Sequence, residues 1–174
     1  MRILLLGAPG TGKSTVGKRL AVDMGWFWLS SGELLRESQE QWVIDKLKTA
    51  ELFDDDMMAG LVIPRVIAAE NLILDGFPRT LKQAKILVDR QVKLDMIMEL
   101  VIPLEEALTR LEARGRDQDT PEIVRERWAI YEREKTEMMA FLAGNGVKIA
   151  TVDGVGTMDE VYARALAEVK KLNK

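Results

Sequence analysis

The run Gly7-Ala8-Pro9-Gly10-Thr11-Gly12-Lys13-Ser14-Thr15 stands directly behind the apolar stretch Ile3–Leu6 and opens a segment, Lys13–Met24, with helical spacing. No other feature narrows the fold so far. The pattern G-x-x-x-x-G-K-[ST] needs a strand before it and a helix after it, and both are present. Its glycines let the backbone turn N–H groups inward around phosphate oxygens, while the helix N-terminus adds a favourable dipole. In such a cradle Lys13 faces β- and γ-phosphate oxygens and the Ser14 hydroxyl is a direct ligand for Mg²⁺. The alternative is a glycine-rich turn that binds nothing, and the correct flanks argue against it. The loop predicts a nucleoside triphosphate and leaves the acceptor open.

Short apolar runs continue to alternate with longer amphipathic ones along the chain, as β-α-β units of a parallel sheet do. Strands are predicted at Ile3–Leu6, Trp26–Leu29, Asn71–Leu74, Met96–Ile102 and Val147–Val152. Helices are predicted at Lys13–Met24, Gly32–Lys48 (with a break), Asp54–Ala69, Leu81–Val88, Leu104–Ala113, Pro121–Ala143 and Met158–Leu172. Thr120 is an N-cap ahead of Pro121, Gly144 closes the same helix, and Pro64 should kink or split the helix that contains it. Asp54-Asp55-Asp56 suits the positive end of the following helix.

The chain has 174 residues, 47% hydrophobic and 30% charged, enough for one domain spanning residues 1–174 with its own core. A net charge of −3, with basic residues interspersed among acidic ones, gives no electrostatic case for nucleic acid or an anionic membrane as a partner. Cysteine and histidine are both absent, which removes disulfides, structural zinc, thiol nucleophiles and imidazole acid–base chemistry. The first apolar run is too short for a signal peptide or a membrane span, so a cytoplasmic protein is expected. Trp26, Trp28, Trp42 and Trp128 read as core or half-buried packing, and the Glu-rich stretch from Tyr131 to Glu137 as a solvated face.

Two further segments carry a family resemblance. Leu29-Ser30-Ser31-Gly32-Glu33-Leu34-Leu35-Arg36 is similar to S-T-G-D-x-L-R, and Asp75-Gly76-Phe77-Pro78-Arg79-Thr80 followed by Gln83 is similar to D-G-F-P-R-T-x-x-Q. With the phosphate loop, these resemble the adenylate kinases, nucleoside monophosphate kinases of the P-loop class, over nearly the whole chain. The resemblance implies a three-layer α/β fold with a five-stranded parallel sheet in the order 2-3-1-4-5. It also implies reversible phosphoryl transfer from Mg-ATP to AMP giving ADP, by a monomer. On the acceptor side it makes Ser31, Gly32, Arg36, Gly76, Arg79 and Gln83 AMP-binding, with Arg36 and Arg79 on the phosphate and Gln83 on the adenine edge. A planar guanidinium suits bidentate phosphate recognition, and an amide that donates and accepts suits an adenine edge without excluding other bases. Asp75, at the end of an apolar strand, reads either as a Mg²⁺ ligand through water or as a cap of the next turn.

Arg110, Arg114, Arg116 and Arg127 look like the family's lid arginines. The resemblance puts Arg110 over the ATP adenine and the other three around the transferred phosphoryl group, Arg116 and Arg127 reaching AMP as well. Ordinary surface pairing with Glu112, Glu122 and Glu126 is the competing explanation. Val152-Asp153-Gly154-Val155-Gly156 resembles the family's V-D-G stretch, making Val155 and Gly156 ATP-side candidates. Only Gly115 separates Arg114 from Arg116, so the lid is expected to be a short loop at about 114–121, and the monophosphate-binding segment to span about 30–61. Closure is then expected to depend on that loop and on movement of residues 32–61. Gln118 stands where the family's R-x-D-D has an acid, leaving only Asp119. Other readings are a UMP/CMP-type kinase, a small-metabolite kinase, and a nucleotide-binding module without catalysis, for which the loss of Lys13 or the paired arginines would be the signature.

Overall fold

In the first strand, β1 (Arg2–Leu6), no residue after Arg2 is polar because both faces are covered. Ile3 and Leu5 join one apolar core, and Leu4 and Leu6 join another on the opposite side of the sheet. The first core is closed by α1 (Lys13–Met24) and α8 (Met158–Leu172), through Val16 and Leu20 from α1 and Val161, Ala165 and Val169 from α8. The second is closed by α4 (Asp55–Ala68), α5 (Leu81–Asp89) and α7 (Pro121–Gly144), which contribute Met58, Val62, Val66, Ala84, Leu87, Met138 and Leu142. A fully buried Leu, Ile, Val or Met on these faces contributes about 1.5–3 kcal/mol.

The computed structural model describes residues 1–116 and 119–172, so Gln118 and its expected effect lie outside the described residues. Five parallel strands form one sheet in the order β2-β3-β1-β4-β5, with β2 at Phe27–Ser30, β3 at Leu72–Asp75, β4 at Met96–Val101 and β5 at Lys148–Asp153. Layer structure and strand order agree with expectation. Strands β2, β3 and β5 each end one residue later than the apolar pattern suggests. The ladder is made by backbone groups and runs on through Ser30 opposite Asp75, whose polar side chains end the pattern but not the pairing. That register sets Ser30 and Asp75 level at the carboxyl edge of the sheet, where ligands of open α/β folds gather.

Segment 32–48 is broken as expected, into α2 (Ser31–Arg36) and α3 (Gln41–Leu47). Pro64 does not split α4, which is continuous through it. The backbone bond that proline removes would end on the Gly60 carbonyl, and both residues are exposed, so water can serve that carbonyl; Arg65 Nη1 also donates to Leu61 O at 2.7 Å. Trp42 is 50% exposed on α3, its ring centroid 6.1 Å from that of Phe53 and its indole N–H donating to Glu40. The Tyr131–Glu137 stretch is not solvated throughout. Tyr131 and Lys135 turn inward to the buried Glu99 of β4, at 2.7 and 3.3 Å.

Candidate active site

Gly10 and Gly12 both have φ of +86°, and Gly12 caps α1 in the left-handed conformation. A side chain is strained in that conformation, and at Gly10 a Cβ would also stand 2.9 Å from Ala107 on α6 (Leu104–Arg114). Local sequence thus bends the loop while α6 backs it. Ala8 is buried beneath, its carbonyl accepting from Thr11 Oγ1 at 2.9 Å and from Lys13 Nζ at 3.2 Å. Burial pushes the Lys13 ammonium below the ordinary lysine range, Asp75 partly restores it, and Arg79 and Arg114 push it down again.

Asp75 ends β3 beneath the loop. Its Oδ2 accepts from Ser14 Oγ at 2.5 Å, while its Oδ1 is buried without a partner. An orphaned carboxylate oxygen beside a hydroxyl is a good fit for a Mg²⁺ ion held by Ser14 directly and by Asp75 through water. Among the described residues no cluster of three acidic side chains could hold a metal alone, so such an ion would draw its other ligands from phosphate and water.

The acceptor half is assembled from distant pieces. Ser30 caps α2, accepting from Glu33 N–H at 3.4 Å, and the fully buried Ser31 donates to Gly76 O at 2.7 Å. Gly76 has φ of +83°, and a Cβ there would lie 2.6 Å from Ser31 Oγ and 3.0 Å from Arg79. Arg79 Nε donates to Gly76 O at 2.8 Å. Arg79 lines the cleft while remaining solvent-exposed as a residue; desolvation lowers its pKa and Asp75 opposes that shift. Arg36 faces Arg116 and Arg114, and partial desolvation with these like charges lowers its pKa as well. Gln83 is buried and both amide atoms are engaged, with Arg79 N–H and with Asp55.

Arg114 and Arg127 are held by one carboxylate. Asp119, its side chain 2% exposed, accepts from Arg114 Nε at 3.1 Å, from Arg114 Nη2 and from Arg127 Nη1 at 3.4 Å. Asp119, the acid left beside Gln118, thus orients both arginines. Arg127 reaches further, donating to Leu47 O at 2.7 Å and Thr49 O at 3.0 Å, which ties α7 to the loop after α3. Desolvation lowers the Arg127 pKa, Asp119 raises it, and Arg79, Arg114 and Arg36 lower it further. A bound anion would relieve this mutual repulsion.

Two clefts meet here. One, of about 390 Å³, is lined by Gly10 to Thr15, Arg110, Gly154, Gly156 and Met158. The other, of about 220 Å³, is lined by Gly7, Pro9, Ser31, Gly32, Arg36, Asp75, Gly76, Arg79, Gln83, Arg116 and Arg127. Lys13, Ser14 and Arg114 line both. Arg110 is set across the first by Glu106 Oε1 at 2.9 Å and Gly154 O at 3.0 Å. Val155 is not brought in; its side chain is 42% exposed while its flanking glycines line the cleft.

The family model described as adenylate kinase matches residues 5–147. The adenylate kinase of Mycolicibacterium smegmatis is 38% identical over 180 aligned positions, covering 96% of this chain and 98% of the relative. That of Mycolicibacterium vanbaalenii is 36% identical over 95% and 97%, and that of Maricaulis maris 36% over 98% and 100%. The chain belongs to the adenylate kinase family. Membership makes it a nucleotide-binding phosphotransferase of the nucleoside monophosphate kinase class. Sequence reasoning named Asp119 without its partners and missed the roles of Glu106 and Asp55; the three hold Arg114 with Arg127, Arg110 and Gln83 respectively. Acidic residues near arginines were visible in the sequence, but which carboxylate meets which guanidinium depends on helix packing. No helix among the described residues is long and apolar enough to cross a membrane.

Proposed function

We propose that this enzyme transfers the γ-phosphoryl group of Mg-ATP reversibly to AMP, giving two ADP, with ATP in the cleft of the phosphate loop and Arg110 and AMP in the cleft of Ser31, Arg36, Arg79 and Gln83. The observation that carries the reading is the junction of the clefts, where Lys13 and Arg114 face both sides and Asp119 holds Arg114 with Arg127. Phosphoryl transfer spreads charge over equatorial oxygens, so oriented cations in a desolvated site supply the main stabilisation. Lys13 holds β- and γ-oxygens, Arg114, Arg116 and Arg127 surround the moving group, and Arg36 with Arg79 grips the acceptor phosphate. An AMP phosphate oxygen is already anionic and attacks without a general base, which suits a chain without histidine. Ser14, and Asp75 through water, would hold Mg²⁺, which would supply neutralisation of phosphate charge. On the donor side Arg110 covers the base, near Gly156.

The lid in this reading is the short loop near 114–121, and the acceptor segment is residues 30–61. Closure moves that segment, and phosphate draws Arg127 off the Leu47 and Thr49 carbonyls. The reading takes the protein to act as a monomer in the cytoplasm. The test is to mix purified protein with Mg-ATP and, separately, AMP, CMP, UMP and GMP, and to follow diphosphate formation by chromatography beside Lys13→Ala. ADP formed fastest with AMP, and lost in the variant, is the expected result. Preference for another acceptor would overturn the AMP assignment, and ATP binding without turnover would overturn catalysis.

A further inference from the structure

Gln83 carries two polar atoms that a base could read, and the fold decides which way round they face. We propose that Asp55 is a specificity-determining, positioning residue of the acceptor site: it locks the Gln83 amide in the orientation that matches a 6-aminopurine and opposes a 6-oxopurine. The proposal rests on the reading of Gln83 as the residue that meets the acceptor base.

Gln83 is 2% exposed and lines the acceptor cleft from the first turn of α5. Its Oε1 accepts from the backbone N–H of Arg79 at 2.7 Å, and its Nε2 donates to Asp55 Oδ1 at 2.9 Å. A backbone N–H can only donate and an ionised carboxylate can only accept. Turning the amide over would therefore set donor against donor and acceptor against acceptor. Thr80 holds the carboxylate in turn: its Oγ1 donates to the same Asp55 oxygen at 2.8 Å while accepting from Gln83 N–H at 3.1 Å. The three aspartates at the start of α4 thus part company. Asp54 caps the helix and Asp56 pairs with exposed Lys82, whereas Asp55 alone reaches the binding residue.

Each amide atom keeps one vacancy, a lone pair on Oε1 and a hydrogen on Nε2. A 6-aminopurine presents a donor N6–H beside an acceptor ring nitrogen. Hypoxanthine presents O6 and N1–H with those roles exchanged. With the monophosphate gripped by Arg36 and Arg79, the base has no freedom to turn over and repair the mismatch, and a site of fixed polarity rejects the exchanged edge.

The experiment is initial-rate kinetics with AMP and with IMP as acceptor, at saturating Mg-ATP, for the parent, Asp55→Asn, Asp55→Ala and Gln83→Ala, alongside thermal unfolding. Asparagine is isosteric and can turn its amide to donate, so Asp55→Asn removes the acceptor-against-acceptor half of the lock, leaving the Arg79 N–H half, even if Asp55→Ala folds poorly. Both Asp55 variants are expected to shrink the AMP-over-IMP ratio of kcat/KM about tenfold with KM for ATP unchanged. If AMP and IMP rates fall together with the ratio preserved, Asp55 only braces the fold and the proposal is overturned. If Gln83→Ala leaves the ratio at the parental value, the reading of Gln83 itself fails. That result is distinct from one in which Gln83→Ala collapses the ratio and the Asp55 variants do not.

Discussion

The phosphate loop and the acceptor cleft are built in opposite ways. The loop occupies nine consecutive residues, its bends come from glycines at positive φ, and its lysine and threonine bond back to Ala8 within the same turn. The acceptor cleft draws Ser31, Arg36, the Leu47–Thr49 carbonyls, Asp55, Arg79, Gln83 and Arg127 from five helices and two loops. Its contacts span up to 80 positions of sequence. A locally built site keeps its shape while the domain breathes, whereas one assembled over long separations moves with its elements. That division suits a kinase whose donor phosphates need a rigid seat and whose acceptor must enter and leave.

The largest expected effect comes from the rigid side. Lys13→Ala should lower kcat about 10²- to 10³-fold, since it removes a charge-stabilising donor from a desolvated site. Denaturant unfolding should find it no less stable, because burial already works against the ammonium. Loss of stability beyond about 1 kcal/mol would mean that the lysine holds the loop together, and the contrast would weaken.

Next in size is Asp119→Asn, which keeps shape and removes the charge that orients Arg114 and Arg127. We expect kcat to fall about tenfold or more. We also expect faster amide exchange in residues 47–53, since Arg127 there joins α7 to the acceptor segment. Exchange in residues 7–15 should stay as in the parent; if both segments loosen together, the two halves are one mechanical unit.

Smaller still is Glu106→Ala. Arg110 loses one of its two anchors, and KM for ATP should rise about threefold, the scale of a single partly exposed ion pair, while KM for AMP holds. A shift confined to AMP would break the donor–acceptor assignment of the clefts.

The smallest effect is on pH dependence. Because the folded pKa of Lys13 is depressed, the unfolded chain binds more protons between that value and the ordinary 10.5. In that window the Lys13 contribution to stability becomes less unfavourable as pH rises, so the stability gap between Lys13→Ala and the parent should narrow as 10.5 is approached. Denaturant midpoints measured across the alkaline range check the sign.

Legibility followed the same division. The loop, α1 with its bounds, and the five strands in order were readable, because glycine placement and burial on both sheet faces leave a direct imprint on residue choice. Pro64 left kink and split open, and the helix is not split because a proline's cost depends on which face of the helix it sits on, and this one faces water. Trp42 lies at the exposed limit of the half-buried packing expected of it, since large apolar residues are only on average inside. Gly17, in the middle of α1, carries no signal in the sequence, yet a Cβ there would run into the Trp28 ring and Leu5.

By itself, the sequence determined the strand–glycine loop–helix unit and the layered parallel sheet, since each depends on a local pattern, while the candidate cations came from the family resemblance. Only the tertiary structure decided which carboxylate orders which cation. Asp119 gathers Arg114 with Arg127, Glu106 steadies Arg110, and Asp55 turns toward Gln83 while Asp54 and Asp56 do not. The physical reason is that a hydrogen bond is won within tenths of an ångström, and that margin is set by how α4, α5, α6 and α7 pack, not by the order of residues along any one of them.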